Sequence, residues 1–253
     1  MNMRRFYISI LVAVILALAY YLAGCDQRIA LSSLKGYSVE GAIVRDMHLR
    51  SIIASAQFKR NDTILTSARL IIENDTLVYA GGYYTKSFGY SSAVSSGEHY
   101  LKLVDSNLFR DSIKFSIPGT FNFTHSSLPG DRINPGGADA SFSWSPSAGS
   151  NGCAYGVVKA DSSYKINGYT GFVPITIDTL ITVPRAAFRT SGNLDTGWYY
   201  IYVYAYAGAP EKMTSFPTAF PSWPLPNIVK DNIIGNWGAV VVSQPDSIHV
   251  VTQ

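Results

Sequence analysis

The side chains that could perform covalent, acid–base or metal chemistry are few and widely separated along this chain. Its 253 residues include two cysteines and four histidines, and only four of its 17 acidic residues are glutamates. No two histidines have a metal-ligand spacing, and neither a nucleophile elbow nor a phosphate-binding glycine loop is present. We therefore expect no enzyme activity, no metal site and no cofactor. The histidines are His48, His99, His125 and His249.

The first cysteine stands in a context that indicates processing. Arg4 and Arg5 precede an apolar run from Phe6 to Tyr21, and small residues then lead directly into Cys25. This order is typical of a secretory signal peptide. The alternative is an uncleaved membrane anchor, although the run is shorter than the ~20 residues that a spanning helix needs.

The residues before Cys25 add a more specific signal, because Leu22-Ala23-Gly24-Cys25 resembles the lipobox of bacterial lipoproteins. The resemblance implies that the Cys25 thiol is acylated and that the chain is cut before it. Residues 1–24 would then be a signal helix and 25–35 a lipidated tether. The protein would be held by its lipid to a membrane of the bacterial envelope, facing the periplasm or the cell surface.

Charge and the second cysteine exclude other roles. The formal net charge of +3 becomes about +1 once Arg4 and Arg5 leave with the leader. The remaining lysines and arginines are scattered along the sequence, which gives no electrostatic case for nucleic acid or anionic lipid. Cys153 has no partner in the mature chain, so we expect a small buried hydrophobe rather than a disulfide or a reactive thiol.

Composition and patterning predict an all-β fold. The chain is rich in tyrosine, with 17, and in other residues that favour strands. Short alternating runs separated by turn residues predict β-sandwiches rather than helices. Pro118-Gly119 is the expected boundary between two independent cores, at 36–118 and 119–253, and the second contains a long proline- and aromatic-rich insertion at 209–236. Before the boundary, strands are expected at 37–44, 51–60, 63–73, 76–84, 99–104 and 112–117; after it, at 120–124, 140–146, 153–160, 172–177, 180–183, 198–207, 239–243 and 247–251.

The second half resembles a fibronectin type III or related immunoglobulin-like domain. Phe142-Ser143-Trp144-Ser145-Pro146 is similar to that family's second strand, and Leu194 to Ala205 is similar to its sixth. The resemblance implies that Trp144 is buried between two sheets. It also implies that Tyr199 forms a tyrosine corner, with its hydroxyl bonded to backbone upstream. This fold carries little information about function.

One predicted strand, 198–206, alternates aromatic residues on the face opposite Tyr199, Ile201 and Val203. If that face is open, it is a candidate surface for a partner protein or a sugar. The alternative is that the proline-rich segment from Pro210 to Pro226 lies across it. The five residues of this aromatic ladder are Trp198, Tyr200, Tyr202, Tyr204 and Tyr206.

A short pattern, Asp followed by Ser or Thr and then an aliphatic residue, occurs five times. It resembles an O-glycosylation acceptor used on envelope proteins by one group of Gram-negative bacteria. The alternative is structural, because Asp can close a turn and the next residue can open a strand. The five acceptor positions are Thr63, Thr76, Ser112, Thr179 and Ser247.

These observations together predict a lipid-anchored envelope protein that works without catalysis. We expect a binding or spacer module that acts through contacts with another envelope protein. The alternative is a carbohydrate-binding lipoprotein that uses the aromatic ladder. No nucleic-acid partner is expected.

Overall fold

Alternation of apolar and polar residues produces strands almost throughout the part of the chain that the structure describes. The computed structural model describes residues 36–91, 94–106, 108–126, 132–133, 140–160, 169–174, 179–190, 193–211, 223 and 225–251. The expected signal helix and tether, 1–35, lie outside these residues. A short 3-10 helix, Arg185–Phe188, interrupts the strands. The strands are β1 (Tyr37–Asp46), β2 (Ser51–Arg60), β3 (Thr63–Ile64), β4 (Arg69–Ile72), β5 (Asp75–Thr76), β6 (Val78–Ala80), β7 (Tyr83–Phe88), β8 (Gly97–Asp105), β9 (Phe109–Ile117), β10 (Phe123–Ser126), β11 (Arg132–Ile133), β12 (Ala140–Trp144), β13 (Gly152–Lys159), β14 (Tyr169–Pro174), β15 (Leu180–Val183), β16 (Arg189–Thr190), β17 (Asn193–Leu194), β18 (Gly197–Gly208), β19 (Ile228–Lys230), β20 (Ile233–Val242) and β21 (Asp246–Val250).

The main sheet runs in the order β11-β21-β18-β20-β1-β2-β7-β6. Strand β18 is shared along its length: its first part pairs with β21 and its last part with β20, while its other edge pairs with β13. A second sheet has the order β5-β4-β8-β9, and a third has the order β10-β12-β15. Strands β16 and β17 form a separate hairpin.

The strand pairing does not follow the predicted division at Pro118-Gly119. Strand β1 pairs antiparallel with β2 on one side and parallel with β20 on the other, over its whole length from Tyr37 to Asp46. A strand near the carboxyl end therefore completes the sheet of the amino-terminal half. The reason lies in β20 itself, whose apolar run from Trp237 to Val242 is buried on both faces and needs a neighbour on each edge.

Burial agrees with this continuity. Inward-facing residues of all three sheets belong to one buried cluster, the main core, that extends from Val39 to Val250. Phe115 of β9 meets Trp237 of β20 edge-on, with ring centroids 5.6 Å apart. Trp144 is only 2% exposed and lies in this core, as its resemblance implied. The two halves therefore share one hydrophobic core.

Two predicted strands are divided in the structure. The run 63–73 is one strand by pattern, but β3 pairs with β2 in the main sheet whereas β4 belongs to the second sheet. The bend at Thr66-Ser67 carries the chain from one sheet to the other. The run 76–84 likewise separates into β5, β6 and β7, where Gly81 and Gly82 have positive φ in the turn before β7. Alternation identifies strand residues but does not show where the chain changes sheets.

Candidate binding surface

Strand β18 positions the aromatic ladder, and its inner face lies in the main core. Tyr199, Ile201 and Val203 are each at most 5% exposed. The Tyr199 hydroxyl donates a hydrogen bond to the Asp195 backbone oxygen at 2.9 Å, and its ring meets Phe188 edge-on at 5.2 Å. The tyrosine-corner geometry expected from the sequence is confirmed. Because side chains alternate along a strand, Trp198, Tyr200 and Tyr202 point to the opposite face.

The outer face of β18 becomes more buried along the strand. Trp198 is 51% exposed and Tyr200 is half-buried, but Tyr202, Tyr204 and Tyr206 are buried. These three tyrosines form a second buried cluster, the tyrosine layer, with apolar residues from β13, β1 and β20. The added residues are Ala154, Val44, Val240 and Val242. A partner could reach only the Trp198 end of the ladder.

Part of the proline-rich segment contributes to this burial. The Trp223 ring lies 5.1 Å from that of Tyr206, and its indole N–H donates to the Pro210 backbone oxygen at 2.8 Å. This contact is of the kind that the covering alternative predicts. Residues 212–222 and 224 lie outside the described residues, so the extent of the covering segment stays a prediction.

The exposed end of the ladder forms a small aromatic platform with β21. Trp198 is directly opposite His249 in the antiparallel register. The two rings are stacked, with centroids 4.7 Å apart and an interplanar angle of 12°. One face of the indole is therefore occupied by imidazole, and half of the tryptophan surface meets solvent. We call this pair the Trp198 platform.

The five possible acceptor hydroxyls lie at or near strand starts, apart from Ser112 within β9. Thr63, Thr76 and Ser112 are exposed, whereas Thr179 and Ser247 are half-buried. In two cases the preceding aspartate bonds the acceptor's own backbone: Asp111 Oδ1 accepts from Ser112 N at 2.6 Å, and Asp246 Oδ1 accepts from Ser247 N at 2.9 Å. The Asp246–Ser247 bond at the start of β21 is of the kind that the structural alternative predicts, whereas Asp111 lies within β9; glycosylation stays a prediction.

The side chains that could ligate a metal or act as an acid, base or nucleophile are dispersed over the described residues. Among the described residues no group of three or more His, Cys, Asp or Glu side chains could hold a metal ion. His99 is buried, with Nδ1 2.8 Å from Glu73 Oε1 and Nε2 2.8 Å from the Ser95 backbone oxygen, which is a structural arrangement. Cys25 and the side chain of His125 lie outside the described residues. Among the described residues, no helical segment has the length and apolar character of a membrane span.

Cys153 is half-buried on β13, beside the Trp144 indole. Burial raises the pKa of its thiol to about 11, and a hydrogen bond with the Trp144 side chain opposes this shift. A thiol with so high a pKa is protonated at neutral pH and is a poor nucleophile. The environment is therefore that of a structural cysteine.

Sequence reasoning missed a cluster of cations. Arg69 of β4, Lys102 of β8 and Arg110 of β9 are scattered in sequence, but the second sheet gathers them on its outer face. They line one groove of about 590 Å³. Their clustering depends on the pairing of β8 with both β4 and β9. No local pattern in the sequence predicts this pairing.

Comparison with known proteins adds little to this geometry. No protein family and no curated protein matches the chain. A biofilm-associated protein's BSP domain is similar at 13% identity and a TM-score of 0.24, over 84% of this chain and 30% of that one. A Ca²⁺-stabilized adhesin that helps an Antarctic bacterium to bind ice is similar at 13% identity and a TM-score of 0.25, over 86% and 49%. A chimeric titin Z1Z2 is similar at 7% identity and a TM-score of 0.21, over 84% and 95%. This chain spans less than half the length of the first two structures, and likenesses at this level carry no argument about function.

Proposed function

We propose that this chain is a lipoprotein of the bacterial cell envelope that acts, without catalysis, as a binding or spacer module. The observation that carries the proposal is the leader, in which a basic head and an apolar run precede Leu22-Ala23-Gly24-Cys25. Lipid on Cys25 would anchor the chain to a membrane facing the periplasm or the cell surface. Stable anchoring takes more than one acyl chain, which the lipobox resemblance supplies.

The described strands support the module part of the proposal. The parallel pairing of β1 with β20 joins both halves in one hydrogen-bonded sheet, which is the continuity that a rigid spacer needs. The buried Trp144 and the Tyr199–Asp195 hydrogen bond support an immunoglobulin-like arrangement in the second half. We place the contact with an envelope partner at the Trp198 platform, because aromatic side chains provide large apolar area together with a polar edge.

The alternative function is carbohydrate binding at the same platform. The observation that favours it is the stacking of Trp198 on His249, which holds the indole in one orientation with a free face. Sugar rings bind to such faces through their C–H groups. Because Tyr202, Tyr204 and Tyr206 are buried, this site would hold one or two sugar units rather than a long chain along the ladder.

The two functions are separated by replacing Trp198 with a photo-reactive amino acid in the membrane-bound protein. A matched control carries the same group at Tyr100, which is 49% exposed on the second sheet. A protein crosslinked from position 198 but not from position 100 would support partner binding. Capture of glycans on an array, lost in Trp198→Ala and kept in Tyr100→Ala, would support the alternative. If position 198 gives neither result, the assignment of this platform is contradicted.

A further inference from the structure

The end of β1 at which the described chain begins is fixed to the turn between β8 and β9. Tyr37 stacks on Phe109 with ring centroids 4.1 Å apart, and its hydroxyl donates to Asp105 Oδ2 at 3.0 Å. Arg60 donates to the same carboxylate oxygen at 3.1 Å. The Asp105 carboxylate is buried, whereas the Arg60 side chain that pairs with it is exposed. Chain arriving from Cys25 therefore enters the fold beside the β8–β9 turn.

The cationic groove lies at this same end. In the register of the second sheet, Arg69 and Arg110 stand on either side of Val104, one residue from Asp105, and Lys102 precedes Val104 by two residues on the same face. All three cations are exposed. Among the described residues, none of the three has a carboxylate within ion-pairing distance.

The acidic residues at this end are largely occupied or peripheral. Asp111 also lines the groove, but Lys230 Nζ lies 2.9 Å from its Oδ1. A second groove, of about 600 Å³, adjoins the first and contains Asp231. Asp62 lies in the neighbouring turn after β2. The groove floor itself holds three cations against one neutralised carboxylate, which favours an anionic ligand.

An apolar side chain completes the surface. Leu108 lies in the β8–β9 turn, where its backbone N–H bonds the Asp105 oxygen, and it is 70% exposed. It lines the second groove together with Arg110. Exposed apolar residues beside arginine and lysine are typical of surfaces that lie in a lipid–water interface. We call Arg69, Lys102, Val104, Leu108 and Arg110 the tether-end surface.

We propose that the tether-end surface lies against the membrane and binds the phosphate headgroups of anionic lipids, an inference that rests on the lipid anchor proposed above. Eleven residue steps separate Cys25 from Gly36, so this end of the fold lies within about 40 Å of the lipid. The other end of β1 is about 30 Å farther along the strand. When the tether-end surface lies against the leaflet, that distance exceeds the Debye length of ~8 Å, so cations at the other end of β1 are screened from the surface charge of the leaflet.

The test compares two labelled positions in the full lipidated protein in nanodiscs. A fluorophore is attached at Leu108→Cys or at Leu49→Cys, both in a Cys153→Ala background. Leu49 is the matched control: it is 69% exposed and lies in the turn after β1, at the opposite end of that strand. Quenching by nitroxide-headgroup lipid is measured with phosphatidylglycerol and with phosphatidylcholine alone. We expect strong quenching at position 108 on the anionic discs and little at position 49.

Charge variants then test the groove itself. Each cation near an anionic leaflet gives about a fivefold preference for the bound state. The triple variant Arg69→Gln, Lys102→Gln, Arg110→Gln is therefore expected to remove the quenching difference. Arg50→Gln, which changes one charge at the opposite end, is expected to leave it unchanged.

Two measurements separate the lipid anchor from the tether-end surface: intact mass tests the anchor and quenching tests the surface. Intact mass of the same sample reports acylation at Cys25. Full acyl mass with equal quenching at both positions, or quenching that is the same on neutral discs, would overturn the tether-end surface while leaving the anchor in place. Absence of acyl mass would overturn both.

Discussion

Gly41 is the position at which one added methyl group would test the join between the two halves most sharply. It lies in β1 between Ala56 of β2 and Trp237 of β20. A Cβ at Gly41 would lie 2.3 Å from the Ser55 backbone oxygen, 2.7 Å from Ala56 Cα and 2.9 Å from Trp237 Cζ3. Two of these three atoms are backbone, so side-chain rotation cannot relieve the overlap.

The expected cost of Gly41→Ala follows from that geometry. Overpacking a core by a methylene costs about 1–3 kcal/mol, and contact with backbone places this site near 3 kcal/mol. For a chain of this size each kcal/mol lowers Tm by about 2–4 °C, so the Tm should fall by roughly 6–12 °C. Because the main core spans both halves, we expect one cooperative transition that moves as a whole.

Differential scanning calorimetry and near-UV circular dichroism measure this effect. Gly89→Ala is the matched control, since a Cβ at Gly89 would meet nothing within 4 Å. Its free energy of unfolding should change by about 0.5 kcal/mol or less. If Gly41→Ala melts like the wild type, or if two separate transitions are seen and only one of them shifts, the two halves do not share one core.

Three further changes test the core, the tyrosine layer and the thiol. Trp144→Ala removes a side chain that is 2% exposed and should lower the free energy of unfolding by about 3–5 kcal/mol, again in one transition. If limited proteolysis instead shows that only residues 119–253 lose structure, the separate cores expected from the sequence are favoured. In urea denaturation, Tyr202→Ala should lower the free energy of unfolding by about 3 kcal/mol, and Trp198→Ala at the exposed end by less than about 0.5 kcal/mol. Equal losses would contradict the increase in burial from Trp198 to Tyr206 along β18. Because burial raises the pKa of Cys153 to about 11, only about one thiol in a thousand is ionised at pH 8. Alkylation of Cys153 by iodoacetamide should therefore be slow at pH 8 and accelerate as the pH rises toward 11. Rapid alkylation of the native protein at pH 8 would contradict this expectation.

Local features of the fold could be read from the sequence. Period-two alternation located β2 and β18 closely, because a side chain's face is set by its position in the strand. Trp144 and Tyr199 were placed by resemblance, and both occupy the expected environments. These are properties of single strands and their immediate turns.

Long-range pairing could not be read in the same way. Nothing local in 37–46 or 233–242 indicates that these segments lie side by side in parallel, since the contact depends on the whole topology. The burial of Tyr204 and Tyr206 has the same origin, because Val240 and Val242 of β20 supply the neighbours that make their face apolar. The sequence left two alternatives for the outer face of β18, open or covered, because a strand's own pattern does not identify its neighbours.

The clustering of Arg69, Lys102 and Arg110 shows what could not be predicted about the candidate site from sequence. Their sequence positions suggested scattered charge, and only the β4-β8-β9 order brings them to one groove. A charge pattern along the chain therefore underestimated the field at one end of the molecule.

Lipid anchoring at Cys25 is tested directly by the intact mass of the protein extracted from membranes by detergent. We expect a mature chain that begins at Cys25 and carries the added mass of acyl groups, and a Cys25→Ser variant that keeps its leader or leaves the membrane fraction. A chain that begins at another residue, without lipid mass, would show that Cys25 is not a lipid anchor.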